Sequence, residues 1–93
     1  MRIIGHIEHP AMKITVFKMD NKLSVKFETG LYEQTYKFRE SLELTSFEDV
    51  QRLVDEAFCA FILKQFEEMH RAKNEALARC LPAQQDDVFD EII

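Results

Sequence analysis

Apolar and polar residues alternate with a period of two along much of the first 39 residues, a pattern typical of β-strands. The alternation is most regular from Lys22 to Thr29, and Met12 to Met19 shows it too. Residues 2–8 are predicted as a short first strand, which ends at His9-Pro10 because proline cannot donate to a strand ladder. The first 39 residues are therefore predicted to form a three- or four-stranded antiparallel β-meander.

Two short turns set the register of the predicted sheet. Asp20-Asn21 tolerates positive φ, and Gly30 suits the first central position of a two-residue hairpin turn. The resulting register pairs apolar residues across strands and places Lys13 opposite Glu28. It also places Glu28 opposite Glu33, which is unfavourable unless Lys13 lies beside both. The inner face is predicted to consist of Met12, Ile14, Val16, Leu23, Val25, Phe27, Tyr36 and Phe38.

Beyond residue 44 the apolar residues recur with the period of a helix. Thr45-Ser46, followed by Glu48-Asp49, has the spacing of a capping box, and neither glycine nor proline occurs until Pro82. We expect one long C-terminal α-helix from Thr45 to Leu81, about 54 Å long if it is continuous. A break near residue 64 or residue 73 is the alternative. The predicted fold class is α+β, a β-meander followed by a long helix.

Two apolar stripes run along this predicted helix, and the second is rotated from the first by about a third of a turn around residues 58–63. The first stripe, expected to pack on the sheet, comprises Phe47, Val50, Leu53, Val54, Ala57, Phe58 and Phe61. The second comprises Ile62, Phe66, Met69, Ala76, Leu77 and Cys80, with Cys59 near its edge. We predict that the second stripe forms a homodimer interface. A returning segment of the chain, or an unidentified protein partner, could cover it instead.

The 93 residues are predicted to form one α+β domain over residues 1–82, followed by an acidic C-terminal tail over residues 83–93. The tail combines four acidic residues with Val88, Phe89, Ile92 and Ile93. This composition fits either a short helix that docks on a surface or a disordered segment.

Composition and motifs favour a non-enzymatic protein. The sequence contains no glycine-rich phosphate loop and no nucleophile elbow. His6 and His9 point to opposite faces of a strand, so no metal site and no cofactor are predicted. Cys59 and Cys80 are interpreted as reduced thiols, and no signal peptide or membrane span is recognised, so a cytoplasmic location is predicted.

The outer face of the predicted sheet is basic, although the chain carries a net charge of −5, which argues against generic binding to nucleic acids or membranes. Basic sheets that carry an aromatic residue bind single-stranded nucleic acids in several proteins. This suggests an alternative function for a set of six residues, Lys13, Phe17, Lys22, Lys26, Lys37 and Arg39. The simpler interpretation is an exposed sheet face kept soluble by lysines.

Overall fold

Four antiparallel strands in one sheet precede two helices in the computed structural model, which describes residues 1–81. The sheet order follows the chain order, and the described chain divides into two compact units, Met1–Leu63 and a second that begins at Lys64. The predicted α+β class and meander are confirmed, with four strands. The elements are β1 (Arg2–Ile7), β2 (Lys13–Met19), β3 (Lys22–Thr29), β4 (Tyr32–Arg39), α1 (Phe47–Leu53) and α2 (Glu56–Cys80).

The predicted strand register is confirmed. Val16 lies opposite Val25 and Ile14 opposite Phe27, while β3 pairs with β4 through Val25–Tyr36 and Leu23–Phe38. Both turns place positive φ at their first central residue, 54° at Asp20 and 42° at Gly30. Asp and Gly tolerate this conformation better than most residues. The turn chemistry and the apolar pattern therefore select the same register.

The opposed Glu28–Glu33 pair is balanced by a different lysine from the one predicted. The Lys26 Nζ lies 3.3 Å from the Glu33 Oε2 and 3.8 Å from the Glu28 Oε2. Residues two apart on a strand share a face, so Lys26 is beside Glu28 and diagonal to Glu33. Lys13 lies directly across from Glu28, but it is Lys26 that bridges the two carboxylates.

The inner face of the sheet forms the core of the first unit. The side chains predicted for it on β3 and at the start of β2 are buried, and the Phe27 ring packs edge-on against Tyr36 and Phe58 with centroids 5.9 and 5.5 Å away. Gln34 donates from its Nε2 to the Ile62 carbonyl at 3.0 Å, and Tyr36 donates to the Gln34 Oε1 at 2.7 Å. These contacts attach β4 to the beginning of α2.

The predicted helix from Thr45 to Leu81 is interrupted at Val54-Asp55, earlier than either position considered from the sequence. Val54 leaves helical geometry with φ −85° and ψ 71°. The Asp55 carboxylate then accepts a hydrogen bond from the Phe58 N–H at 2.9 Å, which is the contact of an N-cap residue. The predicted long C-terminal helix is confirmed as α2, but it does not extend back to Thr45, because the chain leaves helical geometry at Val54 and Asp55 begins a second helix.

The break also changes the two predicted stripes. Because α1 and α2 are separate helices, the side-chain directions on α2 cannot be extrapolated from those on α1. Phe61, which was predicted for the sheet-facing stripe, is 50% exposed. The buried residues of α2 are Cys59, Ile62 and Phe66. Met69, Ala76 and Cys80 lie on the same face of α2 as these three residues, because successive positions differ by three, four or seven residues. The helix α2 therefore has one apolar stripe, buried near its start and exposed near its end.

α1 lies against the edge strand β1 at Gly5. The pairing of β1 with β2 shifts by one residue between Ile3 and Gly5, which is a β-bulge. A Cβ at Gly5 would lie 2.5–2.8 Å from three ring atoms of Phe47. The absence of a side chain at Gly5 is what lets the first residue of α1 pack on the sheet.

Candidate interaction surfaces

The end of α2 presents an apolar surface that residues 1–81 leave largely uncovered. We call Met69, Ala76, Leu77 and Cys80 the distal stripe. Met69 and Leu77 are half-buried, and Ala76 and Cys80 are exposed. Positions 69, 76 and 80 follow one another at seven and four residues, which keeps them on one face of a helix. The distal stripe belongs wholly to the unit that begins at Lys64.

Two of the six residues predicted for a homodimer interface are already covered within a single chain. Ile62 has no exposed surface, and Phe66 is 6% exposed. These two side chains need no partner to leave water, whereas the four residues of the distal stripe retain exposed surface. The assignment of all six residues to an interface stays a prediction, and the distal stripe is the part of it that a partner could cover.

Charged residues flank the distal stripe unevenly. Glu67 and Glu68 lie towards the start of this part of the helix, and Arg79 lies in its last turn. Arg71 forms an ion pair with Glu68 one turn away. Arg79 in the last turn interacts favourably with the helix dipole, whereas Glu75 lies between Arg71 and Arg79 along this part of α2.

The outer face of the sheet contains a cavity of about 440 Å³. We call it the outer cavity. Phe17 is half-buried in it, and cross-strand pairs Phe17–Ser24 and Ser24–Lys37 run across it. The cavity is lined by Met1, Phe17, Met19, Lys22, Ser24, Lys26, Glu33, Thr35 and Lys37. It combines an apolar floor with three lysines and one carboxylate, all within the first unit.

The lysines of the outer cavity differ in their surroundings. Lys26 is held between Glu28 and Glu33, which offsets most of its charge. Lys22 and Lys37 are exposed, and Lys22 pairs across strands with Arg39, another cation. The positive potential at this surface therefore comes chiefly from Lys22, Lys37 and Arg39.

The structure brings together four of the six residues predicted for a nucleic-acid interface. Phe17, Lys22, Lys26 and Lys37 line the outer cavity, whereas Lys13 and Arg39 do not. Met1 and Met19 also line it and were missed, although Met19 follows Phe17 by two residues and therefore shares its face. Binding of single-stranded nucleic acid at this surface stays a prediction.

No grouping of three or more histidine, cysteine or acidic residues within residues 1–81 could hold a metal ion. His6 lies across from Thr15, with 3.4 Å between the His6 Nδ1 and the Thr15 Oγ1, and the His9 Nδ1 accepts a hydrogen bond from the Ala11 N–H at 3.0 Å. These contacts are local and structural. In the same range, no helix combines the length and apolar composition needed to cross a membrane.

The two cysteines occupy different environments on α2. Both are free thiols, with Cys59 buried and Cys80 exposed. Burial, with a smaller contribution from the negative charge of Asp55, raises the pKa of the Cys59 thiol above its ordinary value. A raised pKa and burial both lower the reactivity of a thiol, so Cys59 is a packing residue.

Comparison with known proteins identifies no relative of this chain. No family model, no curated protein and no solved structure matches it significantly. Its surfaces are therefore the basis for any functional argument.

Proposed function

We propose that this chain is a small non-enzymatic interaction module that forms a homodimer through the distal stripe of α2. The observation that carries the proposal is the exposure of Ala76 and Cys80, together with the partial exposure of Met69 and Leu77, on one face of a regular helix. The proposal includes a cytoplasmic location, which the two free thiols support.

Helix stability supports a partner for the distal stripe. From residue 70 to residue 80, only Leu77 is even half-buried. A helical segment of this length, if isolated, is marginal in water, because most helical stability in proteins comes from packing of an apolar face. A second helix on the distal stripe would supply that packing.

Charge placement favours a second copy of this chain as the partner. A symmetric interface uses the same surface on both copies. In an antiparallel arrangement, the start of one distal stripe meets the end of the other. This brings Glu68 near Arg79 of the second copy, twice per dimer, on the same flank of the stripe. A parallel arrangement would instead place like charges at the same level.

Sedimentation equilibrium tests the proposal on the full chain. We expect a mass of about twice the 11.0 kDa of the monomer at high concentration. Leu77→Glu should raise the dimer dissociation constant about tenfold or more, because each copy would lose apolar burial and gain a charge at the interface. Glutamate is a good helix former, so this change leaves helix propensity almost intact.

Ala78→Glu is the matched control, because position 78 is exposed and lies on the opposite face of α2 from Met69. It should leave the dissociation constant unchanged. A wild-type chain that sediments as a monomer at about 100 µM would contradict the proposal. Equal weakening by Leu77→Glu and Ala78→Glu would show that the association does not use the distal stripe.

A further inference from the structure

One row of side chains crosses the outer face of the sheet and changes from apolar to cationic on the way. It takes one residue from each strand, joined by successive cross-strand pairs: Ile3, Phe17, Ser24 and Lys37. Residues directly opposite each other in antiparallel strands lie on the same face, so these side chains are neighbours. The row is therefore apolar on β1 and β2 and cationic on β4.

The neighbouring row repeats this division. Met19 on β2 pairs with Lys22 on β3, which pairs in turn with Arg39 on β4. Met1, Ile3 and Met19 are large apolar side chains that remain exposed. Exposed apolar side chains that are clustered and bordered by charged residues mark a site of interaction. The outer face thus has an apolar side on β1 and β2 and a cationic side on β3 and β4.

The short side chain of Ser24 accounts for the outer cavity. Four longer side chains surround it, two from cross-strand neighbours and two from positions two residues away on β3: Phe17, Lys37, Lys22 and Lys26. The space above Ser24 is therefore enclosed on all four sides. Its volume of about 440 Å³ falls within the range of roughly 300–1,000 Å³ that is typical of small-molecule sites.

We propose that the outer cavity binds a small amphipathic carboxylate, a molecule with one anionic group and an apolar body, such as a medium-chain fatty acid. The carboxylate pairs with Lys37, and the apolar body lies above Ser24 and covers Phe17 and Met19. Lys37 and Phe17 are two strand spacings apart, about 10 Å, which is comparable with the extended length of an eight-carbon chain. This inference concerns a different surface from the distal stripe and does not rest on dimer formation.

The ion pairs on this face determine where the carboxylate binds. The Lys26 Nζ lies 3.3 Å from the Glu33 Oε2 and 3.8 Å from the Glu28 Oε2, so the charge of this lysine is already offset. Lys37 and Arg39 are exposed, and no carboxylate within residues 1–81 forms an ion pair with either. A charge-assisted hydrogen bond needs an available cation, so the anionic group binds beside Lys37.

A single-stranded nucleic acid fits this arrangement less well. Its phosphates need cations along the whole bound strand, whereas the cations lie on one side of the cavity. Within residues 1–81, Phe17 is the one aromatic residue that lines the cavity, so successive bases would find a single stacking partner. The net charge of −5 also repels a polyanion more strongly than a monoanion.

Amide spectra of the isotope-labelled full chain, titrated with octanoate, test the proposal. We expect saturable shifts at Phe17, Ser24 and Lys37, with a dissociation constant of about 1 mM or lower, and unchanged resonances in α1. Octylammonium, which has the same chain length and the opposite charge, should bind about tenfold more weakly or not at all. Absence of these shifts at about 5 mM octanoate would overturn the proposal.

Two substitutions at Ser24 test the use of the cavity itself. Ser24→Ile fills the space with a side chain that favours β-strands, so it should weaken octanoate binding about tenfold or more. Ser24→Ala removes the hydroxyl without filling the cavity and should leave the dissociation constant within about twofold. Equal binding to the wild type and to Ser24→Ile would show that octanoate does not occupy the cavity.

Lys37→Gln tests the position of the carboxylate. It should weaken octanoate binding about three- to tenfold, because it removes an exposed cation from the cavity. Lys13→Gln is the matched control, since Lys13 is an exposed lysine of the same sheet that does not line the cavity. Equal weakening by both substitutions would show a response to net charge alone and would contradict the proposed contact.

Other occupants of this face would give different results. Every titration is repeated in the Leu77→Glu background, so that octanoate adsorbed on the distal stripe is not mistaken for octanoate in the cavity. Shifts confined to α2 would overturn the proposal. A single-stranded oligonucleotide, or vesicles of anionic phospholipid, that shifted the outer-face amides while octanoate shifted none would also overturn it, and would assign the face to a nucleic acid or a membrane surface.

Discussion

Gly5 allows the sheet and α1 to approach each other closely, because it has no side chain. A Cβ at this position would meet the Phe47 ring at distances that real contacts do not show. We expect Gly5→Ala to lower the free energy of unfolding by about 1–3 kcal/mol, the usual range for overpacking. Urea denaturation measures the change.

A double-mutant cycle separates the steric cause from other effects of alanine at Gly5. Phe47→Leu shortens the side chain that the new methyl group would meet, so Gly5→Ala should be less destabilising in the Phe47→Leu background than in the wild type. Strictly additive effects would show that the contact between Gly5 and Phe47 does not determine the cost.

Asp49 makes the start of α1 sensitive to acid. Its Oδ2 accepts hydrogen bonds from the backbone N–H groups of Thr45 at 3.0 Å and Ser46 at 3.1 Å. These bonds lower the pKa of the Asp49 carboxyl well below its ordinary value of 3.8. The stabilisation is fully present above pH 3.8 and is lost as the pH falls towards the lowered pKa.

Asp49→Asn removes the charged form and leaves a side chain of similar shape. The thermal midpoint of the variant should lie below that of the wild type at pH 7, and the difference should shrink as the pH falls below about 3.8. Scanning calorimetry at several pH values measures it. Glu48→Gln, an exposed acid of the same helical turn, is the control, and a difference that grows towards low pH would contradict the argument.

The apolar stripe of α2 is buried near the start of the helix and exposed near its end, over a length of about 37 Å. The reactivity of its two thiols should report this gradient. A maleimide should label exposed Cys80 rapidly and buried Cys59 more slowly by a factor of about 100 or more, because Cys59 must first be exposed by an opening of the structure. Mass spectrometry of timed samples identifies the labelled residue.

The same labelling experiment carries its own internal check. Denaturant should remove the difference between Cys59 and Cys80, and raising the protein concentration should slow the labelling of Cys80 if the distal stripe becomes covered. Comparable rates for both thiols in the native protein would show that the start of α2 is less well packed than the structure indicates.

The strands could be predicted from the sequence more fully than the helices. Alternation from Lys22 to Thr29 and the turns at Asp20 and Gly30 act locally and agree with one another, so the register follows from the sequence. The break at Val54-Asp55 could not be found in this way, because a helical stripe continues through it. Aspartate is common both at N-caps and on exposed helical faces, so Asp55 alone does not distinguish the two.

The two candidate surfaces, the outer cavity and the distal stripe, could be predicted from the sequence only in part. The outer face followed from strand alternation, which located Phe17, Lys22, Lys26 and Lys37. The depth of the cavity and the participation of Met1 depend on the twist and spacing of the strands, which no local pattern encodes. For α2, periodicity identified the stripe, but only the three-dimensional structure showed that Ile62 and Phe66 are buried and that the distal stripe begins after them.

The order of the strands has a consequence for the rate of folding. Each strand pairs with its neighbour in sequence, and two-residue turns join β2 to β3 and β3 to β4. Contacts between residues close in sequence require little loop-closure entropy, and proteins rich in them cross their folding barrier quickly. The β2–β3–β4 hairpins can therefore form early and provide the surface on which α1 and the start of α2 assemble. The residues of the distal stripe take no part in these hairpin contacts. Substitutions there should therefore change the unfolding rate more than the folding rate.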